Sequence, residues 1–234
     1  MIKRKKFGQN FLKSDHIAKF IVNSLNPTRD DIVYEIGTGR GILLPYLCKK
    51  SKHVITVEKD KSLYEEDIMK FSNIENLTII QGDGFKQNKK FDIFVSNLPY
   101  SESKTAIQWM LMQKFTAGII MIQYDFAEKL FATKQNRKAI SVLAQSGFNM
   151  EILRNVSKED FSPQPKIKST IVSFRRRTSF SKELIHTVNL IFSFRRKKIQ
   201  NIGKQLGITI KSDLRLEEMS NYEIIKFAKT IRKF

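Results

Sequence analysis

The tetrapeptide Asn97-Leu98-Pro99-Tyr100 carries the residue types needed to hold a flat ring that bears an amine. It follows Phe91-Asp92-Ile93-Phe94-Val95-Ser96, a β-branched and aromatic run with the pattern of a buried strand. In open α/β sheets ligands collect beyond the carboxyl ends of the strands. An amide, a proline-fixed turn and an aromatic ring at such a place can accept hydrogen bonds from the amino group of a flipped-out base. An exocyclic amine on a purine is a poor nucleophile, because its lone pair is delocalised into the ring. A site that acts on it must orient that lone pair more than it must remove a proton. Taken alone, the same four residues also read as a strand-ending turn in which Pro99 sets φ.

A second motif lies upstream. The strand-like run Asp31-Ile32-Val33-Tyr34-Glu35-Ile36 leads into Gly37-Thr38-Gly39-Arg40-Gly41, and a helix is predicted from Ile42 to Lys50. The spacing Gly-x-Gly-x-Gly differs from the Gly-x-Gly-x-x-Gly of dinucleotide sites, which disfavours a nicotinamide or flavin cofactor. A second strand, His53-Val54-Ile55-Thr56-Val57, ends in Glu58, about 20 residues past Gly37, where an acid can bond ribose hydroxyls. A third, Leu77-Thr78-Ile79-Ile80-Gln81, ends in Gly82-Asp83-Gly84 and offers a carboxylate to an adenine amine. Singly these features are a turn, a solvated acid and a helix N-cap. In order, each at a strand's end, they predict one site.

Together these residues resemble the Rossmann-type S-adenosylmethionine-dependent methyltransferases. Further segments narrow the family: Gly8-Gln9-Asn10-Phe11-Leu12, Asn97-Leu98-Pro99-Tyr100, Phe161-Ser162-Pro163-Gln164-Pro165-Lys166-Ile167-Lys168-Ser169 and Phe194-Arg195-Arg196-Lys197-Lys198-Ile199-Gln200-Asn201. They resemble the rRNA adenine N6,N6-dimethyltransferases of the KsgA family, from about Phe7 to the C-terminus. The chain is also similar to the Erm resistance methyltransferases, which share the N-terminal, glycine-loop and Asn-x-Pro-aromatic elements; Phe194 to Asn201 leans to the KsgA side. After Tyr100 the chain carries Ser101-Glu102-Ser103-Lys104, where the family usually has a small apolar-polar stretch.

The resemblance implies roles for these residues. The side-chain oxygen of Asn97 and the carbonyl of Leu98 accept from the target amine, and Tyr100 and Phe161 stack on the two faces of the base. Without the family, Phe161 reads equally as a loop anchor between prolines. Asn10 and Leu12 cover S-adenosylmethionine; Gly37 and Gly39 line its methionine side, Glu58 its ribose and Asp83 its adenine, with Asn97 between cofactor and base. No metal is required. Arg195, Arg196, Lys197 and Lys198 are expected to contact RNA. The implied activity is dimethylation of adenines in small-subunit rRNA during ribosome maturation. An Erm-like methylation of a large-subunit adenine and a non-catalytic nucleic-acid-binding role on the same scaffold are the alternatives. The intact glycine loop, Glu58, Asp83 and Asn97 argue against the last.

Composition agrees. Among 234 residues, Lys and Arg number 42 against 23 Asp and Glu, a formal charge of +19. Such an excess favours a polyanionic partner, because each neutralised phosphate releases counterions. Arg175-Arg176-Arg177 and Arg195 to Lys198 are therefore read as RNA-backbone contacts rather than as solvated faces. The run Lys3-Arg4-Lys5-Lys6 fits either RNA contact or a solubilising tail. No apolar run approaches the ~18 residues of a membrane span, so a cytoplasmic protein with no membrane partner is expected, acting as a monomer on rRNA and the assembling small subunit. Cys48 is the only cysteine, and His16, His53 and His186 lack ligand spacing.

The predicted fold is α/β: a Rossmann-like doubly wound sheet over residues 1–177, holding the cofactor and the chemistry, then a small helical RNA-binding domain over residues 178–234. After the fourth strand, helices are predicted at Ala106 to Lys114, Phe126 to Thr133 and Ala139 to Gly147. Strands are predicted at Ala117 to Gln123, Met150 to Val156 and Ile167 to Phe174. Helical periodicity resumes with Leu184, Val188, Ile191 and Phe192, and again with Tyr222, Ile225, Phe227 and Ile231. Trp109 and its neighbours read as core packing.

Overall fold

A computed structural model describes residues 9–133 and 136–231. The basic run Lys3-Arg4-Lys5-Lys6, with Gly8, lies outside the described residues. The strands are β1 (Phe11–Leu12), β2 (Ile32–Ile36), β3 (His53–Glu58), β4 (Leu77–Gln81), β5 (Ile93–Ser96), β6 (Ala117–Gln123), β7 (Phe148–Val156), β8 (Phe161–Ser162) and β9 (Ser169–Arg176). The helices are α1 (Asp15–Leu25), α2 (Leu44–Lys50), α3 (Lys61–Lys70), α4 (Ser103–Met112), α5 (Tyr124–Phe131), α6 (Ala139–Gly147), α7 (Lys182–Ser193), α8 (Ile199–Gln205) and α9 (Asn221–Ile231).

Seven strands form one sheet in the order β4-β3-β2-β5-β6-β9-β7, parallel from β4 to β6, with β9 antiparallel to β6. The buried β-branched and aromatic runs suit parallel strands covered on both faces. Alternation divides them. Val33, Val54, Ile93 and Val95 join the core built with Ile17, Ile21 and Leu44 from α1 and α2. Tyr34 and Phe94 point to the other face, where Tyr34 stacks on Phe91 at 4.9 Å and Phe91 on Phe115 at 5.8 Å. The strand order reverses between β2 and β5, and in doubly wound sheets that reversal opens a crevice at the strands' carboxyl ends.

The expected strands at Leu77 to Gln81 and Ala117 to Gln123 form with those bounds. The fourth begins later, at Ile93. The Asp92 carboxylate instead accepts from the Ile32 amide at 2.9 Å, while its own amide donates to the Ile32 carbonyl, closing the strand's start. α3 and α8 lay outside the sequence reading, as did two further elements. The first is α1, whose buried Ile17, Ala18, Ile21, Val22 and Leu25 recur at helical spacing, and which ends at Asn26 in the left-handed region (φ 49°). The second is the two-stranded ribbon that pairs Phe11 with Ser162 and Leu12 with Phe161.

The chain gathers into two compact units. One holds residues up to Ser103 with Lys114–Tyr124 and Met150–Arg175; the other holds Lys104–Gln113, Asp125–Asn149 and Arg176 onward. The chain last crosses between the units at Arg175–Arg176, and α4, α5 and α6 group with the C-terminal helices instead of with the sheet as the division near Arg177 would have it. A physical reason is visible in α6, where Ile140, Val142, Leu143 and Ala144 are all buried. A helix apolar on more than one side needs partners on each, and α7 and α9 both pack on it. Trp109 is buried, as expected of core packing.

Candidate active site

The carboxyl ends of β2, β3, β4 and β5 are drawn together by short backbone and hydroxyl bonds. The Gly37 amide donates to the Val57 carbonyl at 2.8 Å, and the Gly82 amide to the Glu58 carbonyl at 2.8 Å. Ser96 Oγ donates to the Ile36 carbonyl at 2.6 Å, which sets Asn97 beside the glycine loop. A cavity of about 360 Å³ opens there, within the range of small-molecule sites. Asn10, Leu12, Gly37, Gly39, Glu58, Asp83, Asn97 and Leu98 all line it.

The loop takes its shape from backbone conformations that side chains rarely adopt. Gly39 sits at φ +64° and Gly41 at +67°. A Cβ on Gly41 would lie 2.3 Å from Phe71 Cε2. Gly41→Ala is therefore expected to lower unfolding stability by about 2–4 kcal/mol, the sum of left-handed strain and overpacking. Urea denaturation measures it, and a loss below about 0.5 kcal/mol contradicts the argument.

Glu58 is fixed from two sides. Its Oε2 accepts from the Gly39 amide at 3.0 Å and its Oε1 from the Asp60 amide at 2.8 Å, so the carboxylate is aimed before any ligand arrives. Burial pushes its pKa up, opposed by those backbone N–H groups. Asp83 Oδ1 accepts from the Phe85 amide at 3.0 Å and caps the 3-10 turn Gly84–Lys86. It is both the N-cap and a wall of the cavity.

Asn10 and Leu12 reach the cavity because β1 is pinned to β8, with the Lys13 amide donating to the Asp160 carbonyl at 2.8 Å just beyond the pair. This pairing corrects the role expected of Phe161. Its ring is 1% exposed and belongs to the core of the first unit, so it offers no face to a base. It acts as the anchor that the neighbouring prolines also suggested. Tyr100 is half-buried and does not line the cavity; its hydroxyl pairs with Ser169 Oγ at 2.6 Å.

Several lining residues had no role in the sequence reading. Glu35 is fully buried, and desolvation pushes its carboxyl up to about 8. It accepts from Thr56 Oγ1 at 2.6 Å, and Thr56 Oγ1 in turn shares a 2.6 Å hydrogen bond with Thr38 Oγ1. This chain ties the glycine loop to β2 and β3. Its signal was present as one inward polar residue on each of two apolar strands. Ser101 and Glu102, which depart from the family's usual sequence, also face the cavity, as does Phe85.

The basic run lies in the second unit, in the turn between α7 and α8. Arg195, Arg196 and Lys197 are exposed. Lys198 differs from its neighbours, since its ammonium pairs with Asp213 at 2.7 Å. In Arg175-Arg176-Arg177 the middle residue is committed in the same way. Arg176 donates to the carbonyls of Thr178 and Met110 and lies 5.2 Å from the Phe148 ring, and burial brings its pKa down to about 10. No helix among the described residues is long and apolar enough to cross a membrane.

Comparison with solved structures bears out the α/β fold with its C-terminal helices. The chain superposes on a dimethyladenosine transferase from Plasmodium falciparum with a TM-score of 0.80, at 23% identity, covering 95% of this chain and 98% of that one. It superposes on the 23S rRNA methyltransferase ErmE with a TM-score of 0.68, at 20% identity, over 95% of this chain and all of that one. In sequence it is 33% identical to the ribosomal RNA small subunit methyltransferase A of Thermotoga petrophila, over 98% of this chain and 92% of its relative. The family model for ribosomal RNA adenine dimethylase matches residues 2–229, and with that match the chain belongs to the ribosomal RNA adenine dimethylase family.

Proposed function

We propose that this chain uses S-adenosylmethionine to dimethylate the exocyclic amine of adenines in small-subunit rRNA. The observation that carries the reading is that Asn97 and Leu98 share one cavity with Gly37, Gly39, Glu58 and Asp83. The residues present fit the cofactor. Glu58 stands preset at the end of β3 to bond ribose hydroxyls, Asp83 follows β4 to accept from the adenine amine, and the glycine loop leaves room for the methionine portion. Asn10 and Leu12 cover it from the ribbon side. When bound, S-adenosylmethionine supplies an electrophilic methyl on a sulfonium that is itself the leaving group.

The chain's own residues do the rest. The Asn97 side-chain oxygen and the Leu98 carbonyl accept from the amine of the flipped adenine and localise its lone pair toward the methyl. Tyr100 supports one face of the base, its ring held by the bond to Ser169. In the conformation described, stacking on the opposite face does not come from Phe161. Arg195, Arg196 and Lys197 meet RNA phosphates. The same reading has the chain acting in the cytoplasm as a monomer on the assembling small subunit.

Replacing Arg195, Arg196 and Lys197 with Gln is expected to weaken RNA binding and to reduce the slope of log affinity against log salt by about 2–3. Adding Lys198→Gln changes the slope little further, because that ammonium already has Asp213. Filter binding across salt concentrations checks both, and an unchanged slope for the triple variant removes the run from the interface. The reading as a whole is tested by labelled-methyl incorporation into small-subunit rRNA and particles and into large-subunit rRNA. Incorporation into the small-subunit substrates is expected. Label on large-subunit RNA alone points to the Erm-like activity, and none on any RNA to a binding factor.

A further inference from the structure

A second concavity, of about 950 Å³, lies in the C-terminal unit between α9, the end of α6 and the segment from Arg177 to Leu184. Its floor is prebuilt. Arg137, 8% exposed, donates to Asn221 Oδ1 at 2.7 Å and to the carbonyls of Glu217 and Met219 at 3.1 and 2.6 Å. Asn221 Nδ2 donates to Gln145 Oε1 at 2.9 Å, and Gln145 Nε2 donates to the carbonyls of Leu130 and Ala132 at 2.7 and 2.9 Å.

The walls carry positive charge without acids. Arg177, Lys226 and Lys229 line the groove and no Asp or Glu does; among the described residues none of the three cations forms an ion pair, while Arg177 Nη1 donates to the Gln145 carbonyl at 3.5 Å and the Glu223 carboxylate lies within electrostatic reach of Lys226. Tyr222, Lys226 and Lys229 are spaced i, i+4, i+7 on α9 and so share one helix face. Tyr222 is 74% exposed, a large aromatic surface left in solvent beside two ammonium groups. Thr178 and Ser179 add hydroxyls. A stacking platform next to exposed cations that form no ion pair, over a hydrogen-bonded polar floor, is the arrangement that holds single-stranded nucleic acid.

We propose that this groove is a second RNA-contact surface, separate from the Arg195–Lys197 turn, which takes an unpaired strand of the substrate. A base stacks on Tyr222 while Arg177, Lys226 and Lys229 meet the flanking phosphates. The choice of RNA as occupant rests on the proposed function and on the charge complementarity of a +19 chain.

The test compares the full-length protein with two variants, Arg177→Gln/Lys226→Gln/Lys229→Gln and Tyr222→Ala, in binding a small-subunit rRNA fragment over a range of salt. Thermal unfolding and S-adenosylmethionine affinity serve as controls on folding. The triple variant is expected to reduce the salt slope by about 2–3. Tyr222→Ala is expected to weaken binding by roughly 5- to 150-fold at an unchanged slope. That split separates stacking from charge, and a merely structural role for either would not produce it. Parent-like affinity and slope in both variants overturn the proposal, and that is also the result if the groove serves a protein partner. If a variant unfolds, Lys229→Gln alone decides, with a slope reduced by about 1 expected and an unchanged slope overturning the proposal. The proposed function can fail separately: RNA binding that follows these variants without methyl transfer by the parent leaves the groove standing and removes the enzyme.

Discussion

Asn97→Ala is expected to slow single-turnover methyl transfer to small-subunit rRNA by about 100-fold or more while leaving cofactor and RNA affinities near those of the parent. The reasoning rests on where Asn97 sits. It follows β5 directly, locked by the Ser96 bond to the Ile36 carbonyl, and it faces the cavity beside Gly37. A preorganised polar contact that strengthens only as the amine's lone pair is localised acts on the transition state more than on the bound ground state. Losing one such contact costs about 2.7 kcal/mol or more, which is that factor of 100. Tyr100→Ala should instead weaken capture of the base before the chemical step, because stacking acts on binding. Equal transfer rates for the parent and Asn97→Ala would remove Asn97 from the chemistry.

Glu58→Gln is expected to weaken S-adenosylmethionine binding by about 10- to 100-fold, since hydrogen bonds to a charged partner contribute about 1.5–3 kcal/mol each. RNA affinity should stay near that of the parent. Glu58→Ala should lose at least as much cofactor affinity and also cost about 1–3 kcal/mol of stability, because the Gly39 and Asp60 amides lose their acceptor. Glu58→Gln keeps one acceptor oxygen for one of the two amides and Glu58→Ala keeps neither, so the loss of stability is graded between them. Calorimetric titration of each protein with the cofactor is the measurement, and parent-like affinity in Glu58→Gln would take the ribose contact away from Glu58.

Much of this site was legible in the sequence, because parallel strands in a doubly wound sheet must bring their carboxyl ends to one edge. Once Ile36, Val57, Gln81 and Ser96 are read as strand ends, Gly37, Glu58, Asp83 and Asn97 have nowhere else to go. What was not legible depended on pairing between segments far apart in the chain. Phe161 carries the same residue type whether it stacks on a base or anchors a ribbon. Its pairing with Leu12, about 150 residues away, decides the matter, and local pattern does not encode it. The grouping of α4 to α6 with the C-terminal helices is likewise set by buried faces rather than by any linker composition. Charge runs posed a similar problem. Arg176 and Lys198 look identical to their neighbours in sequence, and only the carbonyls around one and Asp213 beside the other mark them as structural. Tyr222, Lys226 and Lys229 were read as part of an apolar helical period or not at all, since a groove made by three separate segments leaves no contiguous motif.

In the proposed reaction one cavity brings a methyl donor to the exocyclic amine of an adenine in small-subunit rRNA. The most direct test is nucleoside analysis of small-subunit rRNA or particles after incubation with the purified chain and labelled S-adenosylmethionine. Label is expected in N6,N6-dimethyladenosine, accumulating about 100-fold more slowly with Asn97→Ala. Label on any other base or on ribose, or no label with RNA and cofactor both bound, would contradict that reaction.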